Sequence, residues 1–240
     1  MDLKEVKILK DDLCNHWYYV SKGFALINLL KEIKISTILD IGAGAGIFSK
    51  NLLRVTAAKE AICLDTGYDA EREELYLGKK IYYVRNITRS YADLVLFLDV
   101  MEHVEDDVSF LREYLEKVNR KTHFVISVPA FQCLFSTHDI FLKHYRRYTI
   151  SSIESCLSGA GLRILKSRYY FLFLFPFMSA TRFITKIRNN FRPKEITHSD
   201  LKVHGKLTNQ FLIRIHQLES FFLPFNRFAG MTILCLAVKE

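Results

Sequence analysis

Apolar residues change their spacing several times along the 240-residue chain, and each change marks an element. Val20, Phe24, Ile27, Leu30 and Ile33 recur at three- and four-residue steps, which predicts helix within residues 1–34 and lays one apolar face on a sheet. Residues 37–41 are a β-branched apolar run holding one acid, Asp40. Gly42, Gly44 and Gly46 follow at alternate positions, and a helical pattern fills 48–55, so this stretch reads as strand, tight turn and helix. Short apolar runs return at 61–65, 81–84, 92–100 and 124–130. The run at 92–100 is apolar almost throughout, as a parallel strand covered on both faces must be. The charged segment 69–80 predicts an exposed helix. Thr149 and Gly161 bracket a helix over 150–159, and 162–168 and 231–238 read as the last two strands. Strands alternating with helices predict an α/β fold with a mostly parallel sheet.

Between those last two strands lie about sixty residues that the alternation does not need. Residues 169–177 are the most apolar run in the chain but fall far short of the roughly 20 residues that cross a bilayer. Arg182, Lys186 and Arg188 then surround Phe183, Ile184, Ile187 and Phe191, a basic amphipathic helix. A second stripe runs through Leu207, Phe211, Ile215, Leu218 and Phe222. Aromatic surface ringed by Lys and Arg suits a helix lying in an anionic bilayer interface. A cap buried on the same chain and a homodimer face remain open beside it. The expected division is therefore a body of 1–168 plus 230–240 and a helical insertion over 169–229.

Composition sharpens this picture. Half the residues are hydrophobic and a quarter charged, enough for a substantial core and too apolar for disorder. Cys14, Cys63, Cys133, Cys156 and Cys235 are widely spaced without a C-x-x-C pair, so they read as reduced core residues rather than a disulfide framework or zinc site. The charged start Met-Asp-Leu-Lys-Glu-Val-Lys lacks the apolar run of a signal peptide. A cytoplasmic location is expected, with the insertion offered to the inner face of the cytoplasmic membrane. The net charge of +8 is concentrated, since residues 163–227 hold twelve Lys and Arg against three acids. An anionic partner would be met there.

The chemistry begins at the glycines. A dinucleotide turn, G-x-G-x-x-G, would place its third glycine at position 47, which is Ile47. Asp40-x-Gly42-x-Gly44-x-Gly46 instead resembles the first motif of class I S-adenosylmethionine-dependent methyltransferases. Three further segments carry the same resemblance. His16-Trp17-Tyr18-Tyr19 with Lys22 is similar to the start of bacterial members linked to glycan, lipid or quinone-type synthesis. Asp99-Val100-Met101-Glu102-His103-Val104 resembles the segment after the fourth strand. Val128-Pro129-Ala130, His138-Asp139 and His144-x-Arg146-Arg147-Tyr148-Thr149 resemble the loop after the fifth. The resemblance implies a Rossmann-like sheet of seven strands with the last antiparallel and helices on both faces. It also implies S-adenosylmethionine as cofactor, with Asp40 near its amino-acid end and the backbone of Gly42, Ala43, Gly44 and Gly46 beneath it. By the same resemblance Asn86 would accept from the adenine amino group and Ile87 pack on the ring, although Asn86 stands where relatives often carry Asp.

Spacing adds Asp65, nineteen residues past Gly46 at the end of the neighbouring strand, where a carboxylate accepts from a ribose diol; Thr66 stands beside it. Asp99 completes the expected cofactor set. His103, His138 and His144 are the expected bases, and Asp139, Arg146 and Arg147 the expected acceptor contacts, with the arginines alternatively bracing their loop against Asp139. The aromatic cluster at 16–19 is either a core lid or a cover for the cofactor. Asp99, Glu102 and His103 invite a metal reading. Orientation of the strand end is preferred, with no metal expected. Methyl transfer to an oxygen, or secondarily a nitrogen, of a small or lipid-linked acceptor is the leading reading. RNA methylation and a non-catalytic membrane scaffold are the alternatives. DNA amino- and cytosine-methylating strings are absent, since Asp99-Val100-Met101-Glu102 replaces D/N-P-P-Y/F and Pro129-Ala130 replaces Pro-Cys.

Overall fold

The computed structural model describes residues 10–191 and 204–240. Eight strands form one sheet: β1 (Thr37–Ile41), β2 (Glu60–Leu64), β3 (Arg72–Tyr76), β4 (Lys79–Val84), β5 (Leu94–Leu98), β6 (His123–Pro129), β7 (Leu162–Tyr170) and β8 (Thr232–Lys239). Their order is β3-β4-β2-β1-β5-β6-β8-β7, parallel from β4 through β6. β8 is inserted antiparallel between β6 and β7, and β3 is antiparallel to β4. The helices are α1 (Trp17–Leu30), α2 (Ile47–Val55), α3 (Asp107–Lys117), α4 (Thr137–Phe141), α5 (Ile150–Ala160), α6 (Phe175–Phe191) and α7 (Lys206–Phe222). From β1 the chain winds outward first through β2 and β4, then the other way through β5 and β6. Ligands of open α/β sheets bind beyond the carboxyl ends of the strands at such a reversal. Alternate residues feed a core on each face, Ile38, Leu94 and Leu96 on one and Leu39, Val95 and Phe97 on the other.

The sheet has one strand more than expected, because 69–80 is not helical. Arg72–Tyr76 and Lys79–Val84 form a hairpin closed by Leu77 and Gly78 at φ 51° and 76°. The pairing of two positive-φ residues is what a two-residue hairpin turn requires. The outer strand is an exposed edge rich in charge, and Arg72 lies 3.8 Å from the Tyr83 ring while Tyr83 Oη donates to Glu74 at 2.9 Å.

α1 also differs from its periodicity. Its buried side is Tyr19, Lys22, Ala25, Leu26, Leu29 and Leu30, while Val20, Phe24 and Ile27 are only half-buried. The helix is covered on a second side by α7, where Asn28 Nδ2 donates to Ser220 O at 2.7 Å and Asn209 Oδ1 accepts from Trp17 N at 2.8 Å. α7 is turned against its own stripe: Leu207, Phe211, Leu218 and Phe222 are exposed, while His216 and Glu219 are buried and paired at 2.8 Å. Residues 1–9, the side chains of 186–191, and 192–203 lie outside the described residues, and with them part of the expected first helix and of the basic helix. Cys63, Cys156 and Cys235 fill the core as expected, but Cys14 and Cys133 are exposed.

The chain returns from this insertion through Gly230, where a Cβ would meet Tyr170 O at 2.3 Å. Met231 N donates to the same carbonyl at 2.9 Å, so the backbone is pinned. Gly230→Ala is expected to lower stability by about 1–3 kcal/mol, the range for overpacking. An unchanged urea midpoint would show that the strand ends separate freely.

Candidate active site

At the carboxyl end of β1, Gly42, Gly44 and Gly46 all have positive φ, 65°, 55° and 68°. A Cβ at Gly42 would lie 2.7 Å from Val100 Cγ2, so other residues are excluded by both conformation and space. Asp65, just past β2, accepts from Gly44 N at 3.0 Å and from Gly67 N at 2.9 Å, one bond to each oxygen. Each oxygen retains a further lone pair, which fits a diol donor. Thr66 is exposed beside it. Asn86 is exposed too, and its Oδ1 accepts from Ile87 N at 2.7 Å.

Asp40 is buried below the turn rather than on its surface, and its Oδ2 accepts from Ser49 Oγ at 2.8 Å on α2. Burial raises its carboxyl to about 6 against the opposing Ser49 bond. An acid raised in the folded state binds its proton more tightly there, so folding is favoured below about pH 4 and the benefit fades as pH rises through about 6. The stability of wild type relative to Asp40→Asn is therefore expected to fall by up to about 3 kcal/mol between pH 4 and pH 7. Parallel curves in urea melts at both pH values would refute it.

The second acid, Asp99, follows β5 at φ 57°. Lys22 from α1 reaches its Oδ2 at 2.5 Å, Tyr18 Oη donates to the same oxygen at 2.9 Å and Ser127 Oγ to Oδ1 at 2.9 Å. Burial alone would raise its carboxyl, but the Lys22 ammonium and these donors hold it below the usual carboxylate range. Three residues on, Glu102 is 1% exposed and its Oε2 has no hydrogen-bond partner among the described residues. Burial first, and the charge of Asp99 second, push its carboxyl up to about 8.

The loop 131–148 folds back over this turn, Tyr145 N donating to Glu102 O at 2.8 Å and Tyr148 Oη to Asp107 at 2.8 Å. Asp139 is its hub. Fully buried, it accepts from Arg147 Nε at 2.7 Å, Ser136 N at 2.8 Å and Ser136 Oγ at 3.1 Å, and His144 Nδ1 lies 3.0 Å away. Burial opposes its ionisation, yet the His144 bond and the Arg147 charge hold it well below the usual range. Of the two expected readings of this pair the geometry is that of bracing, and Asp139 is closed to any acceptor. Arg146 turns away toward Asp107 at 3.4 Å and Glu105 O, outside the chamber wall.

Together these elements enclose a chamber of about 400 Å³. Asp99, Glu102, His103, His138, His144 and Arg147 line one part of it; Trp17, Phe171, Leu174, Phe177, Met178 and Leu212 supply apolar walls, several from the insertion. The rings of His103 and His144 meet edge to face, 4.6 Å apart. Asp99, Phe131, Lys143 and Phe171, all on segments around this chamber, have positive φ. Strain concentrated in this way is a mark of functional sites. All three expected histidines thus face one space. Sequence reasoning named Tyr18 only within the aromatic cluster and Glu102 only beside Asp99 and His103 as a metal reading that it did not prefer; it missed Ser127 and the pairing of Lys22 and Tyr18 with Asp99.

A family profile described as a methyltransferase domain matches residues 24–167. The ubiquinone biosynthesis O-methyltransferase of Aliivibrio fischeri (strain ATCC 700601 / ES114) is 23% identical over 150 residues, 53% of this chain and 63% of that one. Its counterpart in Yersinia enterocolitica is 31% identical over 101 residues, 38% of this chain and 41% of that one. The chain thus spans less than two thirds of the length of these relatives. A SAM-dependent methyltransferase from Archaeoglobus fulgidus superposes with a TM-score of 0.54 at 17% identity, covering 99% of this chain and 98% of that one. The mitomycin 7-O-methyltransferase MmcR gives 0.52 at 11%, covering 92% and 54%. At such identities the likeness is one of fold.

Proposed function

Because the chain belongs to the family of methyltransferase domains, we propose that it transfers the methyl group of S-adenosylmethionine to an oxygen of a small, lipid- or polyprenyl-linked acceptor held in the chamber. The observation that carries this reading is the chamber itself, lined by apolar side chains together with two acids and four histidines, His103, His138, His144 and His204. The relatives whose names specify O-methylation of ubiquinone precursors support an oxygen acceptor with an apolar tail.

Asp65 and the bare backbone from Gly42 to Gly46 are the residues that would hold the cofactor, with Ile87 against its adenine and Asn86 at the edge. Asp40 acts through Ser49 and α2 rather than by contact. The cofactor supplies an already activated methyl, which leaves the chain to align the acceptor and remove one proton. Alignment supplies about 7–11 kcal/mol of a barrier and proton removal a further factor of about 10²–10⁴. Asp99, fixed by Lys22, Tyr18 and Ser127, positions the strand end between cofactor and acceptor. His103, His138 and His144 form the wall that activates the acceptor, and Arg147 closes it. Calorimetry is expected to give one site for S-adenosylmethionine. Each histidine replaced by Gln in turn is expected to reduce methyl transfer by the proton-removal factor for those that serve it; full rate in all three at neutral pH would end the role assigned to them.

Residues 169–229 act in this reading as a cap that meets the membrane carrying the acceptor, on its cytoplasmic side. Phe173, Phe177, Phe183, Ile184, Leu207, Phe211, Leu218, Phe221, Phe222, Phe225 and Phe228 are all exposed there, in the segment whose sequence also carries the chain's basic excess. Among the described residues no helix is long and apolar enough to cross a membrane, so the contact would be peripheral. Burying a Phe is worth about 1.5–3 kcal/mol, and about 1.4 kcal/mol is tenfold. Phe211→Ser with Phe222→Ser is expected to weaken sedimentation with phosphatidylglycerol vesicles by more than about tenfold. Absence of wild-type vesicle binding, together with a steep salt dependence on RNA, would transfer the surface to RNA; a stable dimer in solution would assign it to a second copy.

A further inference from the structure

Glu102, His103 and His144 each bring one donor atom to the chamber wall, all within 4.8 Å of one another. We propose that these three side chains bind a divalent first-row transition-metal ion whose remaining coordination positions open into the chamber, where acceptor oxygens would take them.

The carboxyl of Glu102 is the first reason. It is 1% exposed, lines the chamber and leaves Oε2 without a partner among the described residues. A buried carboxylate oxygen in that state is costly unless a cation completes it. The Lys22 ammonium is bonded to Asp99 at 2.5 Å rather than to Glu102, and Asp99 is outside the ligand set.

The mounting of His144 is the second. Its Nδ1 lies 3.0 Å from Asp139 Oδ1, and an ionised carboxylate only accepts, so Nδ1 carries a hydrogen and Nε2 is the nitrogen left to meet an ion. A carboxylate behind the distal nitrogen is the arrangement that orients a metal-ligating histidine. Asp139 is itself fixed by Arg147 and Ser136. The orientation therefore survives without a ligand.

Two imidazoles and one carboxylate make an N₂O set with open positions, which suits Zn²⁺, Mn²⁺, Fe²⁺ or Co²⁺; Ca²⁺ and Mg²⁺ prefer oxygen alone. Ligand atoms about 2.0–2.2 Å from an ion stand about 3–3.5 Å apart, so the triangle closes by no more than about 1.8 Å. His103 and His144 already meet at right angles, 85° between ring planes. The sequence alone set Glu102 and His103 beside Asp99 and preferred orientation of the strand end to a metal; His144 lies 41 positions beyond His103, and the Tyr145 N to Glu102 O bond is what brings the two segments together. Binding of the ion stands independently of methyl transfer, whereas its role toward an acceptor rests on the proposed function, in which an ion held by His103 and His144 would leave His138 as the base.

The test is Co²⁺ titration of untagged full-length protein, followed by calorimetry and visible absorption, with S-adenosylmethionine binding measured on the same samples. One equivalent is expected to bind with a nitrogen- and oxygen-ligated spectrum and to raise the thermal midpoint. His144→Gln and Glu102→Gln are each expected to weaken it at least about tenfold, while His123→Gln at the start of β6 leaves it unchanged. Should Glu102→Gln fail to fold, His144→Gln decides. The proposal is overturned by folded wild type that binds no Co²⁺, by affinity unchanged in His144→Gln, or by a thiolate charge-transfer band pointing to the exposed Cys14 or Cys133. Protein that takes S-adenosylmethionine but no ion would sink the ion site alone.

Discussion

Lys22→Met is expected to destabilise the fold by about 3–5 kcal/mol, the cost of removing one member of a buried ion pair. Lys22 is wholly buried in α1, its ammonium 2.5 Å from Asp99 and 3.2 Å from Tyr18 Oη. The same ammonium lies 5.2 Å from the Tyr18 ring and 5.8 Å from that of Phe48. Met fills the volume but leaves Asp99 facing Glu102 with only hydroxyl donors. Asp99 also sits at φ 57°, a conformation that non-glycine residues hold only when their surroundings enforce it. Loss of Lys22 therefore frees the strand end as well as the charge. Adding Asp99→Asn to Lys22→Met is expected to recover part of the loss, since the uncompensated charge goes with it. Urea unfolding of the two single variants and the double completes the cycle. A deficit below about 1 kcal/mol in Lys22→Met would mean the pair behaves as an exposed one.

Where the chain spoke locally, the sequence was enough. Only glycine tolerates three positive φ values in five residues, so the turn at 42–46 was legible, and a strand buried on both faces has to look like 94–98. The hairpin at 72–84 was not, because its edge strand is solvated and needs no apolar alternation, and because Leu77 rather than Asn or Asp takes the first positive-φ position. Periodicity also finds a stripe without saying which side is wet. In α7 the apolar stripe faces out and the polar pair His216 and Glu219 faces in, where Leu172 N donates to Glu219 at 2.6 Å and Trp17 stacks on His216. Among site residues, the three histidines and Asp139 were found by motif, but the pairings around them were not. Lys22 and Asp99 are 77 residues apart, and nothing short of the fold announces that they pair. The choice for Arg147 between gripping a ligand and bracing Asp139 was likewise decided only by contact.

That bracing makes Asp139→Ala the substitution expected to harm methyl transfer most, by at least about 10²-fold, the scale of a misplacement of about 1 Å in the reacting groups. The side chain takes donors from Arg147, Ser136 and His144, and its loss leaves the Arg147 guanidinium buried without its carboxylate and the start of α4 without its capping box. Uncompensated buried charge carries a penalty of about 3–5 kcal/mol. Here that penalty is expected to fall mainly on the loop 131–148, which joins only one of the two cores, through Phe131 and Tyr148 at its ends, and can open while the sheet stays folded. Hydrogen exchange should then rise across 131–148 and hardly change in β1, β5 and β6, and S-adenosylmethionine binding, proposed above to use residues 42–65, should persist while turnover collapses. Asp139→Asn keeps an acceptor for one donor and is expected to fall between wild type and Ala in both exchange and rate. Full turnover in Asp139→Ala, or exchange that rises equally across the whole sheet, would show that the loop is not held by this carboxylate.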